Sequence, residues 1–473
     1  MSHSPSANLS SNSPPAPQLR RVLGLGDLVF YGIVLNQPVA AVGLFGLVSQ
    51  ISKGHMVTTL LLSMVAMSLT AISYGRMAAL YPTAGSAYTY VSRGINQEFG
   101  FLAGWTMVLC YLIIPIINTV YGVLSFQRLF PGLSYITLSV IFIAVITLLN
   151  IMGVRSSINA NKIMLYIMLI IIGAFLVMAI KYIAGIHGLN GLLDTSAIYN
   201  RQTFDFSTIA SGTALVALTY VGFDGITTLA EDAKNPSRNI LLAVLIVCLF
   251  TGLFSALQMY LAQLSANTMW QSSGLSAPLP FYERIPAENI ETAFMTVCNQ
   301  VGGPLLFNAM TITMFVACLG SGMAGQLGAA RLLYGMGKDN VLPKRIFGHL
   351  GENSNSPVYN LYIIAVLSVA GVLALNYQKT AELINFAALI AFMGVNLSAI
   401  GQFWIRSPKG NRNIMIDLVI PAAGFLFCLW IWISLPWSSK IIGGIWLTAG
   451  LVYLLIKTRG LKQKPVELDF RDL

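Results

Sequence analysis

The stretch "GIVLNQPVAAVG", Gly32 to Gly43, sits inside an apolar run from Leu28 to Val48. About 20 such residues cross a bilayer as a helix. Its middle is Asn36-Gln37-Pro38, two amides and a helix breaker at mid-depth. Proline has no N–H to donate, clashes with the carbonyl one turn back, and pushes the residue before it out of the helical region. In lipid, interrupted backbone is tolerated only where it faces protein or a water-filled cavity. The stretch is therefore either a simple proline kink or a break that lines a site.

A second stretch supports the break. "ALVALTYVGFDGITTLAED", Ala214 to Asp232, holds Gly222, Asp224 and Gly225 at its centre. By itself a glycine-rich patch in a span is often only close helix packing. Two interrupted spans at matching places in two halves of a chain, however, mark an inverted-repeat transporter. Each break frees backbone donors and acceptors, and the start of a half-helix offers partial positive charge to an anion.

The rest of the chain fits a membrane protein. Of 473 residues, 56% are hydrophobic and only 9% charged, against about 25% charged in soluble domains. Apolar segments occur at roughly 27–50, 57–80, 99–127, 134–153, 160–184, 208–230, 239–264, 292–327, 358–376, 381–405, 415–435 and 440–457. The expected fold is all-α: an integral membrane protein of twelve transmembrane helices. It comprises a five-plus-five inverted repeat with broken helices 1 and 6, plus two extra helices. The first repeat covers about 27–184, the second about 208–405, and helices 11 and 12 about 415–457, within one transporter domain over 23–457. Residues 1–22, rich in Ser, Pro and Asn, read as a disordered tail, and 458–473 as a second short tail. No cleavable leader is visible, since the first apolar run starts late and is of full length.

The net charge of +10 follows topology. With the first residue placed in the cytoplasm, 20 of the 27 Lys and Arg fall on the cytoplasmic side and 7 outside. The positive-inside rule then puts both termini in the cytoplasm of a cell (inner) membrane. The basic residues sit in short loops rather than on one face, so no nucleic-acid partner is indicated. Cys110, Cys248, Cys298, Cys318 and Cys428 lie in or beside apolar spans without a CxxC pair, which suggests neither disulfides nor zinc. The four histidines show no metal-ligand spacing, and no metal or other cofactor is expected. "GMGKDN", 335–340, lacks the spacing and the Ser/Thr of a phosphate-binding loop. Transport must then draw on a gradient. No nucleophile–base pair suggests an enzyme, and no folded cytoplasmic domain suggests a sensor.

The stretch "AISYGRMAALYPTAGSAYTYVSRGINQEFGFLAGW", Ala71 to Trp105, resembles the amino acid–polyamine–organocation permeases, through Pro82, Gly85, Ser86, Tyr88, Tyr90, Gly100-Phe101 and Gly104-Trp105. "GFDGITTLAEDAKNPSRNI", 222–240, and "ARLLYGMGKDNVLP", 330–343, fit the same pattern. Within the superfamily the chain looks most like bacterial putrescine importers, on "TAISYGRM", "AGSAYTY", "NQP" in place of a glycine triad, and "YLIIPIIN". The resemblance implies a secondary transporter for amino acids or amines, most often proton-driven, with its site between spans 1, 3, 6, 8 and 10.

The residues themselves suggest roles. An intramembrane acid is functional by default, so Asp224 is the first candidate for binding an ammonium and handling a proton; the alternative is a carboxylate that caps the broken helix. Glu231, seven residues on and close to two α-helical turns away, is a candidate for proton coupling or gating. With Asp232, beside Lys234 and Arg238, it also reads as an interfacial ion pair. Asn36, Gln37 and Gly43 offer donors to a carboxylate, and Tyr220, Gly222 and Phe223 offer carbonyls and an aromatic lid. Tyr111, near Pro115, matches the importers' third span, where its ring face suits an ammonium. Those importers tend to carry a carboxylate just before that tyrosine, and here it is Cys110. A diamine would want two acids, so an amino acid substrate stays open beside putrescine. Sodium sites in this architecture use hydroxyls of span 8, where "ACLGSGMAG", 317–325, offers only Ser321. Protons are therefore the expected coupling ion, and sodium symport the lesser alternative. Lys162 reads as a positive-inside anchor. Nothing in the residues separates symport from exchange or fixes an oligomeric state.

Overall fold

The computed structural model describes residues 22–83, 85–152, 158–272, 280–338, 342–351, 356–408, 410 and 412–463. Most of both expected tails (1–21 and 464–473), Arg155, Pro278 and Lys409 lie outside the described residues.

The chain is all-helical, and each of the twelve apolar segments has a helical counterpart. In order these are α1 (Leu25–Asn36) with α2 (Phe45–Ile51), α3 (Met56–Leu80), α4 (Ser86–Gly94), α5 (Gln97–Leu129), α6 (Tyr135–Ile151), α7 (Ile158–His187), α8 (Phe206–Val216), α9 (Pro236–Ser272), the short α10 (Phe281–Arg284), α11 (Ala293–Lys338), the short α12 (Lys344–Phe347), α13 (Val358–Ala374), α14 (Tyr377–Ala399), α15 (Ile420–Ile433) and α16 (Trp437–Lys457). Among the described residues nine helices are long and apolar enough to cross a membrane alone. The α1–α2 pair, α6 and α13 are shorter apolar elements.

Local chemistry sets several boundaries. Asn96, Asp205 and Asn376 cap α5, α8 and α14 by accepting the backbone N–H of Phe99, Thr208 and Lys379 at 2.9, 3.0 and 2.9 Å, as short polar N-cap side chains do. Span 8 departs from expectation. Gly303 turns to φ +65° ahead of Pro304, so α11 is two helices joined at a kink. The amphipathic α4, between spans 2 and 3, was not anticipated.

The packing carries the signature of an internal repeat. The helices that pack most extensively are α3 with α9 and α5 with α11, spans 2 with 7 and 3 with 8. Span 1 likewise packs on span 6. Each pair is five spans apart. Small residues permit the approach. A Cβ on Gly32 would come within 2.4 Å of Ile226, one on Gly75 within 2.6 Å of Leu241, and one on Gly325 within 2.2 Å of Ile114.

The connections divide between two faces. On one, Val22 and Leu23 donate backbone hydrogen bonds to the Asp232 carbonyl at 2.9 and 3.0 Å, and Lys234 donates to Leu23 at 2.8 Å. At the ends of α3 and α4, Arg76 reaches Asp417 at 2.5 Å and Arg406 reaches the Arg93 carbonyl at 2.6 Å. On the opposite face, the backbone N–H of Asn200 donates to Nε2 of His55 at 3.1 Å, and Tyr260 donates to the Leu192 carbonyl at 2.8 Å.

Candidate functional site

Helix α1 stops at Asn36 because Pro38 follows. Gln37 takes φ +51° and ψ 120°, the helical region being closed to a residue before proline. The chain turns through 38–41 and resumes helical winding at Val42. In span 6, α8 ends at Val216, and a tighter turn runs to Tyr220. Val221 is extended, and Gly222 adopts φ +130°, which side chains other than glycine's hydrogen resist. Residues Phe223–Leu229 then wind as a 3-10 helix.

The two breaks touch. A Cβ on Gly222 would lie 2.7 Å from Oδ1 of Asn36. Neighbouring spans satisfy much of the freed backbone. Gln258 donates to the Pro38 carbonyl at 3.0 Å. Asn385 of α14 donates to the carbonyls of Ala214 and Leu215 at 2.8 and 3.0 Å. Gln37 donates to the Ala317 carbonyl of α11 at 3.5 Å.

Asp224 is the second residue of the 3-10 helix and is buried. The backbone amides of Gly222 and of Asp224 itself face its carboxylate. Among the described residues it forms no ion pair, whereas Arg76 and Asp417 do. Tyr31, Tyr74, Tyr90, Cys110, Tyr111 and Cys248 lie within its electrostatic reach. Tyr74 anchors the aromatic side, edge-on to Tyr90, Phe223 and Phe392 at 5.9, 5.4 and 5.6 Å between ring centroids. Among the described residues its hydroxyl finds no hydrogen-bond partner, and neither does Oδ1 of Asn36, whose Nδ2 meets Thr251 at 3.4 Å. The breaks thus gather buried oxygen acceptors beside aromatic rings. A primary ammonium, with three donors and no acceptor, complements that arrangement.

The structure also places the other residues singled out in the sequence. Tyr220 is fully buried, and its hydroxyl donates to the Leu60 carbonyl at 2.8 Å, which ties span 6 to span 2. Gly43 is walled by the rings of Tyr121 and Tyr377; a Cβ there would meet them at 2.8 and 2.6 Å. Phe223 is wholly buried between Tyr74 and Phe392. The shared face expected for Asp224 and Glu231 assumed α-helical spacing. The intervening 3-10 winding has three residues per turn, so seven residues do not bring Glu231 back beneath Asp224. Glu231 and Asp232 are half-buried and form no ion pair among the described residues. Tyr111 is partly buried against Gly328 of α11. Ser321 is half-buried on α11. Lys162 is exposed, its ammonium 5.8 Å from the Phe30 ring centre.

Two carboxylates escaped the sequence reading. Glu382 of α14 is buried and accepts from Gln378 at 2.8 Å and from Ser439 of α16 at 2.5 Å. Asp417 is buried at the start of span 11, where it pairs with Arg76 and accepts the Asn413 N–H at 2.6 Å. The spacing of Gln378 and Glu382 on one helix face was available as a signal. Their distant partners were not.

The amino acid permease family model matches residues 38–454. The chain is similar to the low-affinity putrescine importer PlaP of Escherichia coli, at 32% identity over 98% of both chains. It is also similar to the branched-chain amino acid permease BcaP of Lactococcus lactis, at 26% identity over 91% of both. A third relative is the vacuolar cationic amino acid transporter 4 of Arabidopsis thaliana, 26% identical over 82% of this chain and 64% of that one. The paired helix breaks, the five-span packing and a match along nearly the whole length agree: this chain belongs to the amino acid permease family and is a multi-span membrane transport protein, not an enzyme.

Proposed function

We propose that the chain imports an amine-bearing metabolite, either a polyamine such as putrescine or an amino acid, by proton symport across a cell membrane with both termini cytoplasmic. The observation that carries this reading is Asp224: a buried carboxylate that forms no ion pair among the described residues, at the meeting point of two broken helices. A substrate ammonium supplies the missing countercharge. In a symporter proton and substrate cross together, so the coupling proton is carried on a second acid, for which Glu231 is the candidate. The likeness to a putrescine importer and to amino acid permeases supports the substrate class. The distribution of Lys and Arg supports the orientation. Gln37 supports protons over sodium. Its amide engages the Ala317 carbonyl of α11, an oxygen on the span a bridging cation would use.

The test is uptake of labelled putrescine into proteoliposomes under an inward proton gradient, with unlabelled amino acids as competitors. Saturable uptake that a protonophore collapses, blocked by polyamines alone, supports the amine reading; block by amino acids moves the substrate to that class. Uptake that ignores the proton gradient but needs external sodium overturns proton coupling. Acceleration by internal substrate without any gradient identifies an exchanger.

A further inference from the structure

On the face opposite residue 22, a cavity of about 390 Å³ lies between α5, α6, the α13–α14 corner and the turn before α11. Its volume falls in the range of small-molecule sites, about 300–1,000 Å³. The walls are apolar at Val120, Leu124 and Val372 and carry one charge of each sign, Glu291 and Lys379. Among the described residues these two form no ion pair with one another. The Glu291 carboxylate faces the backbone N–H of Tyr377 at the start of α14. Asn376, on the same rim, is occupied by the Lys379 backbone N–H at 2.9 Å.

We infer that this cavity is a second, peripheral binding site for a zwitterionic amino acid. The inference rests on the reading of the chain as an importer of amines or amino acids and narrows the class. A carboxylate and an ammonium that share a cavity without closing on each other complement a ligand carrying the opposite pair. The ligand ammonium meets Glu291, its carboxylate meets Lys379, and its side chain lies along Val120 and Leu124. A diamine would place a positive charge against Lys379, which disfavours it. The site lies one layer from the helix breaks. Tyr377, whose N–H Glu291 faces, packs on Tyr121 with ring centres 5.0 Å apart and planes tilted by 37°, and both side chains wall Gly43.

The test uses purified full-length Asp224→Asn protein, in which the central site is impaired, in equilibrium dialysis against a labelled mixture of the protein amino acids and, separately, labelled putrescine. The expected result is amino acid binding that weakens about tenfold or more on adding Glu291→Gln or Lys379→Gln, as loss of a charged hydrogen-bond partner does. Lys379→Arg should retain it. Leu124→Trp, which fills the cavity and keeps both charges, should remove it, with gel filtration reporting the fold of each variant. The inference is overturned if the Asp224→Asn protein binds no amino acid, if these substitutions leave binding unchanged, or if putrescine binds there as tightly. Failure of the import reading shows separately, as absence of driven uptake by the unaltered protein.

Discussion

Oδ1 of Asn36 stands 2.7 Å from where a Cβ on Gly222 would be. The two interrupted helices meet side chain to backbone at the point where both lose their regular winding. Gly222 is therefore constrained twice, by its φ of +130° and by the amide above it.

Gly222→Ala should separate the breaks. The left-handed backbone costs a non-glycine residue about 1–2 kcal/mol, and Asn36 must also move. Uptake is expected to fall at least about tenfold, which 1.4 kcal/mol corresponds to, and the melting temperature in detergent should drop. Unchanged uptake and melting would show that the contact is dispensable.

Asp224→Asn should abolish gradient-driven uptake while leaving a monodisperse, folded protein, because the amide keeps the shape and loses the charge. Tyr111→Ala should weaken substrate binding without that complete loss. Driven uptake at the normal rate by the Asp224→Asn protein would remove the central role given to this residue.

Asn385→Ala strips two hydrogen bonds from carbonyls at the end of α8. A buried acceptor left without its partner costs about 1–3 kcal/mol. The expected outcome is a lower melting temperature, measured by thermal unfolding of purified protein. Asn385→Gln should not rescue it, since the longer side chain misplaces the donor.

Arg76 and Asp417 tie α3 to the start of span 11, with side chains 19% and 7% exposed. Losing one partner of a buried pair costs about 3–5 kcal/mol. Arg76→Gln and Asp417→Asn should each destabilise strongly, and the double variant should do so by less than their sum. Strict additivity in a thermal-unfolding cycle would show that the pair contributes nothing beyond its separate members.

The spans and both breaks were legible because their causes are local. Length of apolar run sets a span, Pro38 stops α1, and Gly222 supplies a conformation its neighbours resist. What was not legible depends on partners far along the chain. Glu382 meets Ser439 57 residues on, and Arg76 meets Asp417 341 residues on. The 3-10 winding of Phe223–Leu229 likewise overrode the α-helical spacing used to align Glu231 with Asp224. At the site, Asp224 was visible as an acid in an apolar span. Tyr74 was not, because nothing in span 2 marks one buried tyrosine as the hub of an aromatic cluster.

The segment just ahead of α1 bears on how the protein moves. Val22 and Leu23 are hydrogen-bonded to Asp232 and Lys234, just before α1 opens and just after the 3-10 helix of span 6 closes. This seam splices α1 to the 3-10 arm of span 6. Swinging one arm alone means unzipping three backbone hydrogen bonds, at about 1 kcal/mol each, whereas swinging both together leaves them whole. The two arms form one lever with a single handle.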